Sequence, residues 1–212
     1  MNLAGDSGAA AADKAPRTER GRKTLQRLIE AAAAEFGELG YHEAGIIGIT
    51  RRARVALGTF YTYFDSKEAV FRALVREMSR ATRAHVAEAV KDAPDRLAAE
   101  RLGLEAFIAF VRAHPELYRI IEEAQFVAED VYRKHYLSFA DAYRRNLAAA
   151  RQRSEIDAPA GDAEESDEAI AWALIGISVF LGMRYGLWDK GPKPSRIAEI
   201  AGFLVSEGLR RR

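Results

Sequence analysis

GIIGITRRARVALGTFYTYFDSK, residues 45–67, reads as two short helices around a tight corner, and that reading decides the fold. Ile46, Ile49 and Ala53 recur at i, i+3 and i+7, so they form one apolar helical face, and Arg51 and Arg52 lie off it. Val55 sits in a turn too short for anything but a helix-turn-helix corner. The spacing then predicts a second helix over Ala56 to Tyr63, with Phe60 and Phe64, four apart, as its buried anchors. Leu57, Thr59, Tyr61 and Tyr63 fall largely off that line. Gly58 leaves a spot without a side chain where backbone could approach a groove wall, and Thr59 and the tyrosines supply hydroxyl donors. These features make the second helix the one expected in the major groove of DNA. Asp65 and Glu68 have the spacing of a capping box for the next helix, and Lys67 stands at its start, where a phosphate would suit.

The run Val55 to Glu68, preceded by Arg51-Arg-Ala53, closely resembles the DNA-binding domain of the tetracycline-repressor (TetR) family of bacterial regulators, and the resemblance extends from about Arg20 to Met78. It implies that Thr59, Tyr63 and Lys67 touch phosphates and that Ala56, Leu57 and Tyr61 face base edges or backbone. Arg54 and Gly58 complete the expected DNA-facing set. Three positions depart from the family pattern: Arg54 replaces a turn glycine, Ala56 a capping serine, and Gly48 a frequent acidic residue. A lost serine cap costs about 0.5–2 kcal/mol. A left-handed conformation at Arg54 costs about 1–2 kcal/mol relative to glycine, which an added arginine near phosphate would partly offset in the complex.

The chain has 212 residues, 49% hydrophobic and 30% charged, with a formal net charge of +1, enough for a sizeable core but uninformative about partners. Distribution says more. Lys14 to Lys67 holds ten basic residues against six acidic ones, so the DNA-facing part is locally basic. The absence of cysteine excludes disulfides and fits a cytoplasmic protein. Residues 1–17 lack the order of a signal peptide and read as a flexible arm, whose Arg17 to Lys23 end could reach a minor groove or phosphate.

The expected organisation is all-α, with about nine helices: a three-helix helix-turn-helix DNA-binding domain at 18–80 (helix-turn-helix 45–64) and a helical bundle for ligand binding and dimerisation at 81–212. A first helix is expected from Thr18 to Leu39, ended by Gly40, with Leu25, Leu28, Ile29, Ala32 and Phe36 as its stripe. A long lever helix follows from Ser66 to Val90, then one from Asp95 to Ala113 and a short one begun by Pro115. Glu123 to Arg153 reads as a further long helix. A sensing pocket inside the bundle would draw on Phe107, Phe110, Tyr118, Gln125, Phe126, Tyr136, Trp172 and Arg184. Glu123 to Val127, AlaTrpAlaLeuIleGlyIle and LeuGlyMetArgTyr also resemble the ligand-binding domain of one TetR subgroup, without naming a ligand.

Glu155 to Glu168 carries seven acidic residues with Pro159 and Gly161 and reads as a solvated connection. Ala169 to Met183 has no charge and is apolar all round, yet falls short of the ~20 residues a bilayer needs. Burial against the chain's own core on one face and a second copy on the other follows, with Ala173, Gly176 and Phe180 meeting Ile197, Ile200 and Leu204 of the last helix, Pro194 to Arg210. The resemblance implies the same homodimer, which would present two recognition helices to half-sites roughly 34–36 Å apart on a pseudo-palindromic operator. Enzyme signatures are absent: Gly176-Ile-Ser178-Val-Phe180 lacks the second glycine of a nucleophile elbow, and His42, His85, His114 and His135 are scattered, so neither metal nor cofactor is expected. The expectation is a sequence-specific regulator, a repressor by family habit, released from its operator by a small-molecule effector. The alternative is a dimeric small-molecule-binding protein whose helix-turn-helix has decayed.

Overall fold

The computed structural model describes residues 16–157 and 162–207, and within them the chain forms nine α-helices and no strand. Residues 1–15 of the expected N-terminal arm, and Pro159 and Gly161, lie outside the described residues. Helix α1 (Glu19–Glu43) starts where the Thr18 hydroxyl accepts the Gly21 N–H at 3.1 Å. At Gly40 φ is 74°, a conformation glycine adopts freely, and the helix breaks there as its sequence predicts. One more turn, Tyr41 to Glu43, follows the break.

Helices α2 (Ile46–Ala53) and α3 (Leu57–Tyr63) form the corner, and α4 (Lys67–Val90) leaves it. The cap of α4 is Ser66, whose hydroxyl accepts from Ala69 N at 3.0 Å, one residue later than the Asp65 to Glu68 box predicted. Helix α5 (Arg96–Ala113) is capped by Asp95 and α6 (Pro115–Val127) opens on its proline. The long helix expected from Glu123 is two elements. The chain turns at Ala128 and α7 spans Glu129–Gln152, so Glu123 to Val127 belong to α6. Ala128 is buried, and no glycine or proline marks this break; packing makes it.

Helix α8 (Ala163–Gly182) continues into a π turn, Met183–Trp188, and α9 (Pro194–Glu207) closes the described chain. The acidic run before α8 is not merely solvated. Asp162 caps α8, Glu164 and Glu165 lie in its first turn, where the helix dipole favours anions, and buried Asp167 takes a two-pronged ion pair from Arg151 of α7. Glu155 accepts the first N–H of α5 at 2.8 Å. Together α8 and the π turn make 26 residues, long and apolar enough by length and composition to cross a bilayer. The shortness of the uncharged run therefore does not exclude a span; one face of the helix packs on α5 and its Asp167 pairs with Arg151, while the other face is exposed.

One core joins α1 to α4 through Leu28, Phe36, Ile49, Phe60 and Phe71, all essentially inaccessible to solvent. Each such side chain contributes about 1.5–3 kcal/mol. The same core continues through Ile120, Ile121 and Ala124 of α6 to Val131 of α7, so the helix-turn-helix rests on the bundle. A second core sets Leu104 and Ile108 of α5 against Ile197, Ala198 and Ala201 of α9. Gly182 and Gly186 bring α8 and its π turn onto α5. A Cβ at Gly186 would stand 2.7 Å from Val111 Cγ1, and one at Gly182 would stand 2.5 Å from Phe107 Cε1.

Candidate nucleic-acid interface and bundle cavity

Arg54 turns the corner between α2 and α3 with φ 54° and ψ 49°, the left-handed conformation that a glycine would take without strain. Its N–H and that of Val55 close the turn onto Arg51 O and Thr50 O. Phe60 and Phe64 anchor α3, leaving Ala56, Leu57, Gly58, Tyr61 and Thr62 exposed along one side. Thr62 was not among the expected contacts. A Cβ at Gly58 would meet nothing within 4 Å, so no neighbour inside the chain requires that glycine. Thr59 and Tyr63 are half-buried, and the Tyr63 hydroxyl lies 3.5 Å from where a Gly21 Cβ would be, beside the start of α1. No side chain caps α3 at Ala56.

The departure at Gly48 has a structural reason. A Cβ there would lie 1.7 Å from Glu35 Oε1, so the carboxylate of α1 occupies the space a side chain at 48 would need. Glu35, almost fully buried, accepts from Arg52 Nε at 2.6 Å, and Glu38 takes both terminal nitrogens of the same guanidinium. Hydrogen bonds to Glu38 and Glu35 hold the Arg52 guanidinium charged, and the hydrogen bond and charge of Arg52 hold the Glu38 carboxyl below its usual range. Arg52, read from the sequence as outward-facing, is exposed like Arg51 and Arg54, but its guanidinium is tied to α1.

Lys67, expected at a phosphate, finds its partners within the chain. Its ammonium donates to Tyr41 O at 2.8 Å, His42 O at 3.1 Å and Ala44 O at 2.9 Å, and stands 4.6 Å from the centre of the Tyr41 ring. An ammonium has three donors, and all three are used within the chain. Lys67 latches α4 onto the end of α1, where carbonyls left over by the helix break favour a cation.

Between α4, α5, α6, α7 and α8 lies a cavity of about 510 Å³, within the range of roughly 300–1,000 Å³ usual for small-molecule sites. Phe107, Phe110, Tyr118 and Tyr136 line it, and Gln125, Phe126, Trp172 and Arg184 do not. Phe126 is 85% exposed because the turn at Ala128 puts it on the outer side of α6. Trp172 donates to Glu168 on the surface of α8, and Arg184 pairs with Asp189. Several polar wall residues were missed, among them Arg83, Arg96, Glu100 and His135. Arg83 and His135 carried a signal, since Arg83 adjoins the Met78, Thr82 and Val86 stripe and His135 falls within the Tyr132, Tyr136 and Phe139 pattern.

Burial pushes the Glu100 carboxyl up, against the pull of its ion-pair partner Arg96. Burial likewise raises Tyr118, Tyr136 and Tyr143. Burial and the nearby Arg83 charge push His135 down to about 4. Two buried wall atoms, Arg96 Nε and His135 Nδ1, have no hydrogen-bond partner. On the outside, Phe180 is 66% exposed and Phe203 65%, with Ala173, Trp188, Ile200 and Leu204 also exposed. Ile197, expected in the same outward group, packs inside on α5.

A left-handed corner, an exposed second helix and a locally basic first third define a helix-turn-helix DNA-binding transcriptional regulator. The family model for bacterial regulatory proteins of the tetR family matches residues 28–74. The uncharacterised helix-turn-helix transcriptional regulator YdgC of Bacillus subtilis is 25% identical over 88% of this chain and 93% of its own length. The FadR regulator of Bacillus subtilis, solved with stearoyl-CoA, superposes with a TM-score of 0.74 at 18% identity, over 87% of this chain and 99% of FadR. AibR, solved with isovaleryl coenzyme A and operator DNA, gives a TM-score of 0.65 at 16% identity, over 85% of this chain and 97% of AibR. Residues 28–74 thus match the DNA-binding domain of the tetR family of bacterial regulatory proteins, and most of the chain shares the fold of such regulators.

Proposed function

We propose that the chain is a homodimeric repressor that leaves a pseudo-palindromic operator when a small molecule occupies the bundle cavity. The observation that carries this reading is shared structure. Met78 and Ile121 belong both to the core beneath the helix-turn-helix and to the cavity wall. A ligand that shifts either residue must repack the base of the DNA-binding unit, because a close-packed core transmits displacement.

Two helices carry the shift. Helix α4 is the lever that the sequence suggests; α6 is the second, for Glu123 accepts the Tyr41 N–H with both oxygens at 2.8 and 2.9 Å. On the same face, a Cβ at Gly37 would lie 2.6 Å from Glu116 Cβ. Residues 18–80 act as the DNA-binding unit and 81–212 as the sensing and dimerising unit. Ligand favours the dimer whose recognition helices are wrongly spaced, so operator affinity falls.

Ala56, Leu57, Gly58, Tyr61 and Thr62 face the groove, with Arg54 at its edge and Thr59 and Tyr63 nearest the phosphates. The exposed apolar side chains of α8 and α9 form the dimer contact, Phe180 and Phe203 at its centre. The intact corner at Arg54 supports a working reader over a decayed one. The acyl-CoA complexes of FadR and AibR support an acyl compound as the effector.

Selection from sheared genomic DNA tests the reading, with enriched fragments expected to bind at least a hundredfold more tightly than random duplex. Affinities that all stay near 10⁻⁴–10⁻⁶ M, the approximate non-specific range, would refute it. Sedimentation should give a dimer that Phe180→Asp dissociates.

A further inference from the structure

We propose that the effector is a fatty acid or similar amphiphile with a free carboxylate, held by Arg83 and His135 in the cavity wall. The inference deepens the effector-released reading and rests on it.

Arg83 lines the cavity from α4, with its guanidinium 5.7 Å from the centre of the Phe139 ring and one nitrogen donating to Ser79 Oγ at 2.6 Å. Among the described residues no carboxylate lies within ion-pair distance of it, and burial and Arg80 both oppose its charge. Arg96, the other arginine of the wall, is neutralised by Glu100. The cavity therefore carries one positive charge without a counter-ion. His135 stands near it, and its buried Nδ1 has no partner. A buried donor or acceptor left unmade costs about 1–3 kcal/mol, so its retention points to a group that arrives from outside.

A carboxylate satisfies both residues. It accepts from the free Arg83 nitrogens and from the His135 ring, and its charge favours the protonated imidazole that burial and the Arg83 charge disfavour. The rest of the wall, including Val86, Phe107, Phe110, Phe139 and Ile175, suits an alkyl chain. The volume equals roughly seventeen waters at about 30 Å³ each. That accommodates an alkyl chain of dodecanoate length.

The test is calorimetric titration of the full-length protein with dodecanoate, dodecanol, dodecylamine and dodecanoyl-CoA, on the parent and on Arg83→Gln and Arg83→Lys, each checked by thermal melting. Dodecanoate should bind at least tenfold more tightly than dodecanol, and dodecylamine least. Arg83→Gln should weaken dodecanoate roughly tenfold to hundredfold and leave dodecanol unchanged, and Arg83→Lys should restore part of the difference. Equal affinity for acid and alcohol, equal loss of both in Arg83→Gln, or tight binding of dodecanoyl-CoA alone would overturn the proposal. A parallel measurement of release from selected DNA separates the readings. Release by dodecanol or dodecanoyl-CoA leaves the effector-released regulator standing without the carboxylate site, whereas dodecanoate binding without release leaves the site and removes the regulator.

Discussion

Replacing Lys67 by methionine separates a latch from a phosphate contact. Methionine keeps most of the stem and removes the ammonium, leaving the carbonyls of Tyr41, His42 and Ala44 without their donor. A hydrogen bond from a charged group contributes about 1.5–3 kcal/mol when buried. Here the lysine is half-buried and the carbonyl of His42 borders solvent, and the three bonds are not additive because they share one donor atom. The expected destabilisation is about 2–4 kcal/mol. For a chain of this size each kcal/mol lowers Tm by about 2–4 °C, so melting followed by circular dichroism should fall by roughly 5–15 °C. The second readout is the salt dependence of binding to a random duplex, which needs no operator. A lysine that neutralised one phosphate would contribute about 0.9 to the slope of log K against log salt. A latch contributes nothing, so the slope should be unchanged. A variant that melts where the parent does and loses about one unit of slope would refute the latch and restore the phosphate contact.

Arg54→Gly relieves a left-handed cost of about 1–2 kcal/mol and adds unfolded-state freedom of about 0.4–1 kcal/mol. Its urea midpoint should therefore rise by the equivalent of about 0.5–1 kcal/mol while affinity for random DNA falls; a less stable variant would show that the arginine makes contacts beyond the turn. Gly48→Ala should cost about 1–3 kcal/mol, because its Cβ displaces Glu35 from Arg52. Adding Glu35→Ala should recover much of that loss in a double-mutant cycle, and strict additivity would sink the explanation. His135 titrates at about 4 when folded against an ordinary 6.5, so below about 6.5 the unfolded chain binds the extra proton. Stability should fall as pH drops from about 6.5 towards 4, by at most about 1.4 kcal/mol per unit, and His135→Leu should remove that part of the slope. An unchanged pH profile in the variant would mean that His135 is solvated.

The corner at residues 45–67 was legible because its requirements are local. Apolar spacing, the Phe60 and Phe64 anchors and a left-handed turn position are all recorded within a few residues, and α2 and α3 lie where that pattern puts them. The same holds for the Gly40 break and for Pro115 at the start of α6. The α6 to α7 break was illegible, since Ala128 is an ordinary helix former and only packing turns the chain there. That hidden turn also explains the misplaced Gln125 and Phe126, which a single long helix would have rotated differently. Four aromatic wall residues were readable as apolar bundle positions; Arg83 and His135 lie beside or within those stripes, but a charged or titratable residue is read as surface by default, and that outweighed the signal.

By itself the sequence determined most of the helices, the recognition corner and the locally basic first third. Tertiary structure alone decided how the charged groups are spent. Lys67 serves a carbonyl 26 residues earlier, Arg52 serves a carboxylate 17 residues earlier, and Gly48 is empty so that this carboxylate has room. It decided the cavity as well, because a cavity is space between five helices and belongs to no one of them. Helical periodicity is a short-range property of the backbone and is written along the chain; ion pairs and voids depend on which distant segments meet, and packing settles that.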